Sequence, residues 1–222
     1  MTNISGTQTI AQYSYDCFGR RISKTVDEVT TNFYYEGASV IEERVSGAMT
    51  KQYIYGSGID EVLLMINSSD TKFYYHTNSL GSVVALTDED GDLVESIKYD
   101  AYGAPSITQH NGNPPTQNRF MFTGREYDSE TGFYYYRARY YDPVTGRFLQ
   151  RDPNGYHDSM CLYQYCKANP INRRDWSGKQ EDGVITDDKP VGQSHNERNL
   201  TEALSNSNGK FSDYAAARSA PS

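Results

Sequence analysis

Asn32-Phe-Tyr-Tyr35, Glu36-Gly37 and Ala38-Ser-Val-Ile-Glu-Glu-Arg-Val45 read as a short aromatic strand, a turn carrying glycine, and a second strand of alternating character. The same phrase stands on both sides of this stretch. Upstream it is Gln12-Tyr-Ser-Tyr15, Asp16-Cys-Phe-Gly19 and Arg20-Arg-Ile-Ser-Lys-Thr-Val26. Downstream it is Lys51-Gln-Tyr-Ile-Tyr55, Gly56-Ser-Gly58 and the run from Ile59 to Ile66. Thr71-Lys-Phe-Tyr-Tyr75 and Ser82-Val-Val-Ala-Leu-Thr87 follow, then an Asp90-Gly91 turn and Asp92-Leu-Val-Glu-Ser-Ile-Lys-Tyr99. A period of about 20 residues indicates stacked hairpins. A lone hairpin is marginal in water, and stacking hairpins edge to edge satisfies their ladders. Nothing before Tyr13 reads as a cap for the outer edge, as though further repeats preceded it. The alternative is a self-contained antiparallel sandwich of the same strands.

Composition agrees with strands. The chain has 222 residues, of which 20 are Tyr and 36% are hydrophobic. Tyrosine suits a sheet, where the ring packs and the hydroxyl finds a polar partner. The net charge of −8 and the scattered basic residues argue against a nucleic-acid grip, which needs clustered Lys and Arg. No apolar run is long enough to span a bilayer. No signal peptide is expected from the N-terminal residues. Cys17, Cys161 and Cys166 make no disulfide framework, and no metal or cofactor site is expected. His76, His110, His157 and His195 have no Ser or Cys partner by pattern.

The richest stretch begins at Phe122-Thr-Gly124-Arg125-Glu126-Tyr127-Asp128-Ser-Glu-Thr131-Gly132. It continues through Phe133-Tyr-Tyr-Tyr136-Arg137-Ala138-Arg139-Tyr140-Tyr141-Asp142-Pro143 to Val144-Thr-Gly146-Arg147-Phe148-Leu149-Gln150-Arg151-Asp152-Pro153. Phe133 to Tyr141 reads as one nine-residue strand with Arg137 and Arg139 on one face. The favoured role of those arginines is bonding to neighbouring aspartates and stacking on tyrosines, rather than lining an anion groove. Asn111-Gly112-Asn113-Pro114-Pro115-Thr116-Gln-Asn118 reads as an exposed polar excursion.

With Tyr15-Asp16, Tyr99-Asp100 and the Tyr75-His76-Thr-Asn-Ser-Leu80-Gly81 segment, these motifs resemble the RHS-repeat (YD-repeat) family and its repeat-associated core domain. The resemblance runs from about residue 12 to about 178 and is most specific between 71 and 175. It implies an all-β strip of antiparallel hairpins, part of a spiralling shell, that ends in a compact turn-rich core and a disordered tail. Three segments are expected: hairpins over 1–70, the associated core over 71–178, and a variable tail over 179–222. The implied function is structural, a shell end that encloses and presents a variable, toxin-type C-terminal domain. The implied partners are upstream YD repeats, that cargo and an immunity protein, in a secreted or cell-surface setting. A carbohydrate-binding or adhesion module is a further alternative, suggested by exposed tyrosines.

The resemblance also implies a chemistry. In self-cleaving members, two Asp-Pro-x-Gly motifs supply a pair of aspartates assisted by an arginine. Asp152, in Asp152-Pro153-Asn154-Gly155, matches the first aspartate. Asp175, in Asp175-Trp176-Ser177-Gly178, matches the second, and Arg151 is the matching arginine. The bond to be cut is Lys179–Gln180. Two adjacent carboxylates share a proton, so one activates water while the other protonates the leaving amide. Trp176 stands where Pro is usual and Lys179 where Leu is usual. The alternative is that both motifs are ordinary Asp-initiated turns.

Overall fold

The computed structural model describes residues 10–112, 114–157 and 160–179. Ten strands form one antiparallel sheet in sequence order. They are β1 (Gln12–Tyr15), β2 (Arg21–Val26), β3 (Val29–Glu36), β4 (Ser39–Val45), β5 (Ala48–Tyr55), β6 (Val62–Asn67), β7 (Lys72–Thr77), β8 (Val83–Thr87), β9 (Leu93–Tyr99) and β10 (Pro105–Gln109). A second sheet holds β11 (Glu126–Asp128), β12 (Phe133–Tyr136), β13 (Arg139–Asp142) and β14 (Arg147–Phe148). The described residues contain no α-helix. The all-β strip of hairpins with a turn-rich core is the fold expected from the sequence.

One local device makes the hairpins. The Oδ1 of Asp16 accepts the amides of Phe18 and Arg20, both at 2.9 Å. Asn67, Asn78, Asp88 and Asp100 repeat this, each taking the amides two and four residues on. Three residues after each anchor the backbone turns left-handed, at Gly19, Asp70, Gly81, Gly91 and Gly103. Glycine suits that conformation because it has no Cβ to clash. An Asx side chain thus closes the turn by itself, which is the physical content of the Tyr-Asp signature.

The tyrosines lock the hairpins to one another. Tyr35, Tyr55 and Tyr99 donate to the carbonyls of Arg21, Val40 and Val83, each near the start of the preceding strand, at 2.6–2.8 Å. Bulges recur close to these tyrosines, between Ser14 and Tyr15, Tyr34 and Tyr35, and Ile54 and Tyr55. A bulge bends its strand and sharpens the local twist. The consequence is a curled sheet. Flat strands about 4.8 Å apart would put β1 roughly 40 Å from the β9–β10 turn. Yet the adjacent residues Tyr140 and Tyr141 reach both: Tyr140 OH meets Tyr15 OH at 2.7 Å, and Tyr141 OH donates to the Tyr102 carbonyl at 2.8 Å. The sheet wraps the small core sheet.

Between them lies one aromatic core. Phe33, Tyr53, Met65, Tyr75 and Leu86 from the large sheet meet Phe120, Phe122, Tyr134, Tyr136, Tyr141, Phe148 and Tyr165. Tyr134, Tyr136 and Tyr141 are wholly buried. Their rings lie at tilted or edge-on angles, with centroids 5.5–6.4 Å apart, the arrangement that ring quadrupoles favour.

Three expectations need correction. Phe133 to Tyr141 is two strands, not one: Arg137 adopts φ 61° and turns the chain between β12 and β13. Its two arginines therefore serve different places. Pro105–Gln109 forms a tenth strand that sequence reading passed over, with proline at the start of an edge strand, where no ladder donor is missed. The polar excursion is not exposed throughout. Thr116 and Asn118 are buried: Thr116 Oγ1 donates to Glu95 at 2.7 Å, and Asn118 accepts the Tyr75 hydroxyl at 2.8 Å. The expected division after residue 70 falls in the turn joining β6 to β7, two paired strands of the large sheet. The expected tail beyond Lys179 lies outside the described residues.

Candidate functional site: the exit of the chain from the core

Residues 175–178 pack onto the β12–β13 turn, where the Ala138 amide donates to the Ser177 carbonyl at 3.3 Å. Gly178 sits against that turn so tightly that a Cβ would stand 2.3 Å from the Tyr136 carbonyl, and its φ is +69°. Just past the turn, Arg139 opens β13 and is buried, with its guanidinium carbon 3.7 Å from the Phe148 ring centroid. Its Nη1 pairs with Asp152 Oδ2 at 2.8 Å and its Nη2 with Asp175 Oδ2 at 3.3 Å. Its Nε donates to the Gly178 carbonyl at 2.6 Å.

The two aspartates are built alike. Each uses Oδ1 for its own turn and Oδ2 for Arg139. Asp152 Oδ1 accepts the Asn154 amide at 2.9 Å, and the Gly155 amide donates to the Asp152 carbonyl. Asp175 Oδ1 accepts the Ser177 and Gly178 amides at 3.1 and 2.7 Å. Both motifs are therefore Asp-initiated turns, and both also converge on one guanidinium. Asp175 is only 2% exposed. Burial raises its carboxyl above the usual aspartate value, against the opposing pull of Arg139 and the turn amides. One cation thus serves two carboxylates.

Arg151, next to Asp152 in sequence, is exposed and joins neither carboxylate. The arginine between the pair is Arg139. Sequence reading singled it out as an aspartate-bonding arginine but did not connect it with these aspartates. Trp176 has its own support. Its carbonyl accepts Arg125 and Arg137 at 3.0 and 3.2 Å, and both arginines also pair with Asp60. Lys179 follows with its side chain exposed. Its amide donates to Ser177 Oγ at 3.2 Å, and its carbonyl accepts Asn154 Nδ2 at 2.9 Å. Gln180 lies outside the described residues. An open groove of about 840 Å³ runs beside this exit, lined among others by Tyr15, Tyr135, Tyr140, Asn154 and Lys179.

A serine–histidine contact that pattern did not suggest joins Ser96 Oγ to His110 Nε2 at 2.8 Å. It links β9 to the residue after β10 as a neighbouring-strand contact. No group of His, Cys, Asp and Glu among the described residues is arranged to hold a metal ion. No described helix is long and apolar enough to cross a membrane.

A family model described as the Teneurin YD-shell matches residues 4–173. The tRNA3(Ser)-specific nuclease WapA of Bacillus spizizenii is 38% identical over 175 residues, covering 76% of this chain and 7% of that protein. The double-stranded DNA deaminase toxin A of Burkholderia cenocepacia is 28% identical over 188 residues, covering 72% of this chain and 13% of its own length. This chain thus spans a small fraction of the relatives it matches. Among solved structures, TcdB2-TccC3 without its hypervariable C-terminal region superposes with a TM-score of 0.63 at 26% identity, over 76% of this chain and 9% of that one.

Proposed function

The chain belongs to the Teneurin YD-shell family, the YD-repeat grouping its motifs resemble, and on that premise we propose that it is the closing stretch of a longer YD-repeat shell whose core sheet anchors the strand leading to a C-terminal cargo. The carrying observation is the fastening of residues 175–179. Arg139 holds the Gly178 carbonyl, Arg125 and Arg137 hold that of Trp176, and Asn154 holds that of Lys179. A segment that anchored nothing would not need four side chains on three of its carbonyls, those of Trp176, Gly178 and Lys179. At the other end, among the described residues β1 pairs only with β2. Upstream repeats would continue the sheet there. Relatives named as a nuclease and a toxin, of which this chain spans 7–13%, support a toxin-type cargo; an immunity protein and a secreted or surface setting belong to the same proposal. Limited proteolysis with a non-specific protease tests the anchor. The resistant fragment should end at or just after Lys179 and, in Arg139→Ala, recede to before Asp175. A wild-type fragment already ending before Asp175 would sink the reading.

A second reading, favoured by the convergence of Asp152 and Asp175 on Arg139, is self-cleavage at Lys179–Gln180. Water adds to the Lys179 carbonyl carbon as the ionised carboxylate takes its proton. The protonated carboxyl then gives a proton to the leaving Gln180 nitrogen as the C–N bond breaks. The products are residues 1–179 and 180–222. On this reading Asn154, in the first motif, holds the Lys179 carbonyl, and proximity to the acids comes from the chain itself. Intact mass spectrometry of fresh chain should show both products in wild type and whole chain in Asp152→Asn and Asp175→Asn. Comparing Arg151→Ala with Arg139→Lys decides which arginine serves the pair. A wild-type chain that stays whole removes this reading and leaves the anchor standing.

A further inference from the structure

The geometry points to Asn154 as the hydrogen-bond donor that holds and polarises the Lys179 carbonyl for attack, an inference that rests on the self-cleavage reading. Asn154 occupies the variable position of the first Asp-Pro-x-Gly motif. Its backbone amide is tied to Asp152 Oδ1 at 2.9 Å, so the turn that presents the aspartate also aims the amide side chain. Its Nδ2 donates to the Lys179 carbonyl at 2.9 Å, across 25 positions of sequence. No other side chain is bonded to that oxygen among the described residues. Lys179 is held at its own amide too, since that N–H donates to Ser177 Oγ, which in turn contacts Asp175 Oδ1 at 3.2 Å.

A water oxygen adding to this carbonyl carbon moves negative charge onto the oxygen that Asn154 already contacts. A neutral donor placed there in advance stabilises the tetrahedral state more than the ground state. The intermediate collapses with cleavage of the C–N bond, leaving a carboxyl on Lys179 and an amine on Gln180, with water the only co-reactant. Asn154 gives and takes no proton in this step. That division of labour leaves proton transfer to the two aspartates and carbonyl activation to a residue between the motif's fixed positions.

The test uses the full chain made by cell-free synthesis and followed by intact mass spectrometry from the moment of synthesis. Wild type should convert to 1–179. Asn154→Ala should slow conversion about 10²–10³-fold, the usual loss on removing one such donor. Asn154→Asp keeps the shape, replaces the donor with an acceptor, and should be at least as slow. Asp152→Asn should stay whole. The Asp152→Asn chain with and without Asn154→Ala should melt together, since Asn154 is exposed, which separates loss of catalysis from loss of fold. Conversion of Asn154→Ala at the wild-type rate, with Asp152→Asn still blocked, would overturn the role of Asn154 and leave self-cleavage intact. A wild-type chain that never converts would overturn both.

Discussion

Two groups of buried charges fasten the core, and they differ in balance. Near β1–β5, Arg21, Lys24, Lys51 and Arg119 face Glu43, Glu126, Asp128 and Glu130. Arg21 binds Asp128 at 2.5 Å and Glu126 at 2.6 Å, and Arg119 binds Glu126 at 3.0 Å. Burial alone would raise Glu43 and Glu126. Arg119, helped by Lys51 at one and Arg21 at the other, overcomes it and holds both below the usual glutamate value. At the exit, one arginine serves two aspartates, burial wins, and Asp175 is pushed up. The first group is matched charge for charge and joins β2 to β11. The second is short of one cation, and an under-compensated buried acid is the kind that proton chemistry uses. Buried charge alone therefore does not separate the two groups; the local ratio of cation to carboxylate does.

The largest expected effect lies in the balanced group. Arg21→Met removes a buried guanidinium shared by two carboxylates, leaving Asp128 with Lys24 and Glu126 with Arg119, and should lower stability by about 3–5 kcal/mol, read as a fall in the urea midpoint. A loss below about 1 kcal/mol would mean the group acts like surface pairs and would collapse the contrast. Gly178→Ala acts at the exit without touching a charge. The forced contact with Tyr136 and the left-handed φ should cost roughly 1–3 kcal/mol and loosen residues 175–179 to proteases. Tyr55→Phe removes only the hydroxyl that reaches Val40. It should cost about 1 kcal/mol and leave both charge groups untouched, a neutral reference for the other changes.

The smallest shift, and the sharpest for the comparison, is Asp175→Asn. It should change stability at neutral pH by no more than about 1 kcal/mol, because the amide keeps the shape and sheds a charge that burial disfavours. The sign with pH follows from linkage. Asp175, raised on folding, contributes stability present below the unfolded aspartate value and lost as pH rises through its folded value. Glu43 and Glu126, lowered on folding, contribute stability present above the unfolded glutamate value and lost as pH falls through theirs. Urea midpoints across acid to neutral pH should show wild type losing ground to Asp175→Asn as pH rises. A parallel pair of curves would show that Asp175 titrates normally.

How far each feature was legible depended on the range of the interaction behind it. The hairpins were readable because Asp16, Asn78, Asp88 and Asp100 close their turns with amides two and four residues away, and glycine marks the left-handed position. The β12–β13 turn was missed because no such mark exists. Arg137 and Ala138 turn where Ser177, Trp176 and Asp60, distant in sequence, receive them. Thr116 and Asn118 look like loop residues until Glu95 and Tyr75 supply buried partners.

The hairpins of β1 to β9 and the two aspartate turns follow from residues close together along the chain, since each rests on contacts within a few residues. The curl of the sheet, the place of Arg139 rather than its sequence neighbour Arg151 between Asp152 and Asp175, and the meeting of Asn154 with the Lys179 carbonyl arise only on folding. Those are meetings of groups far apart along the chain. Spacing does not encode them, because they depend on the accumulated bend of a ten-stranded sheet with recurrent bulges around an aromatic core.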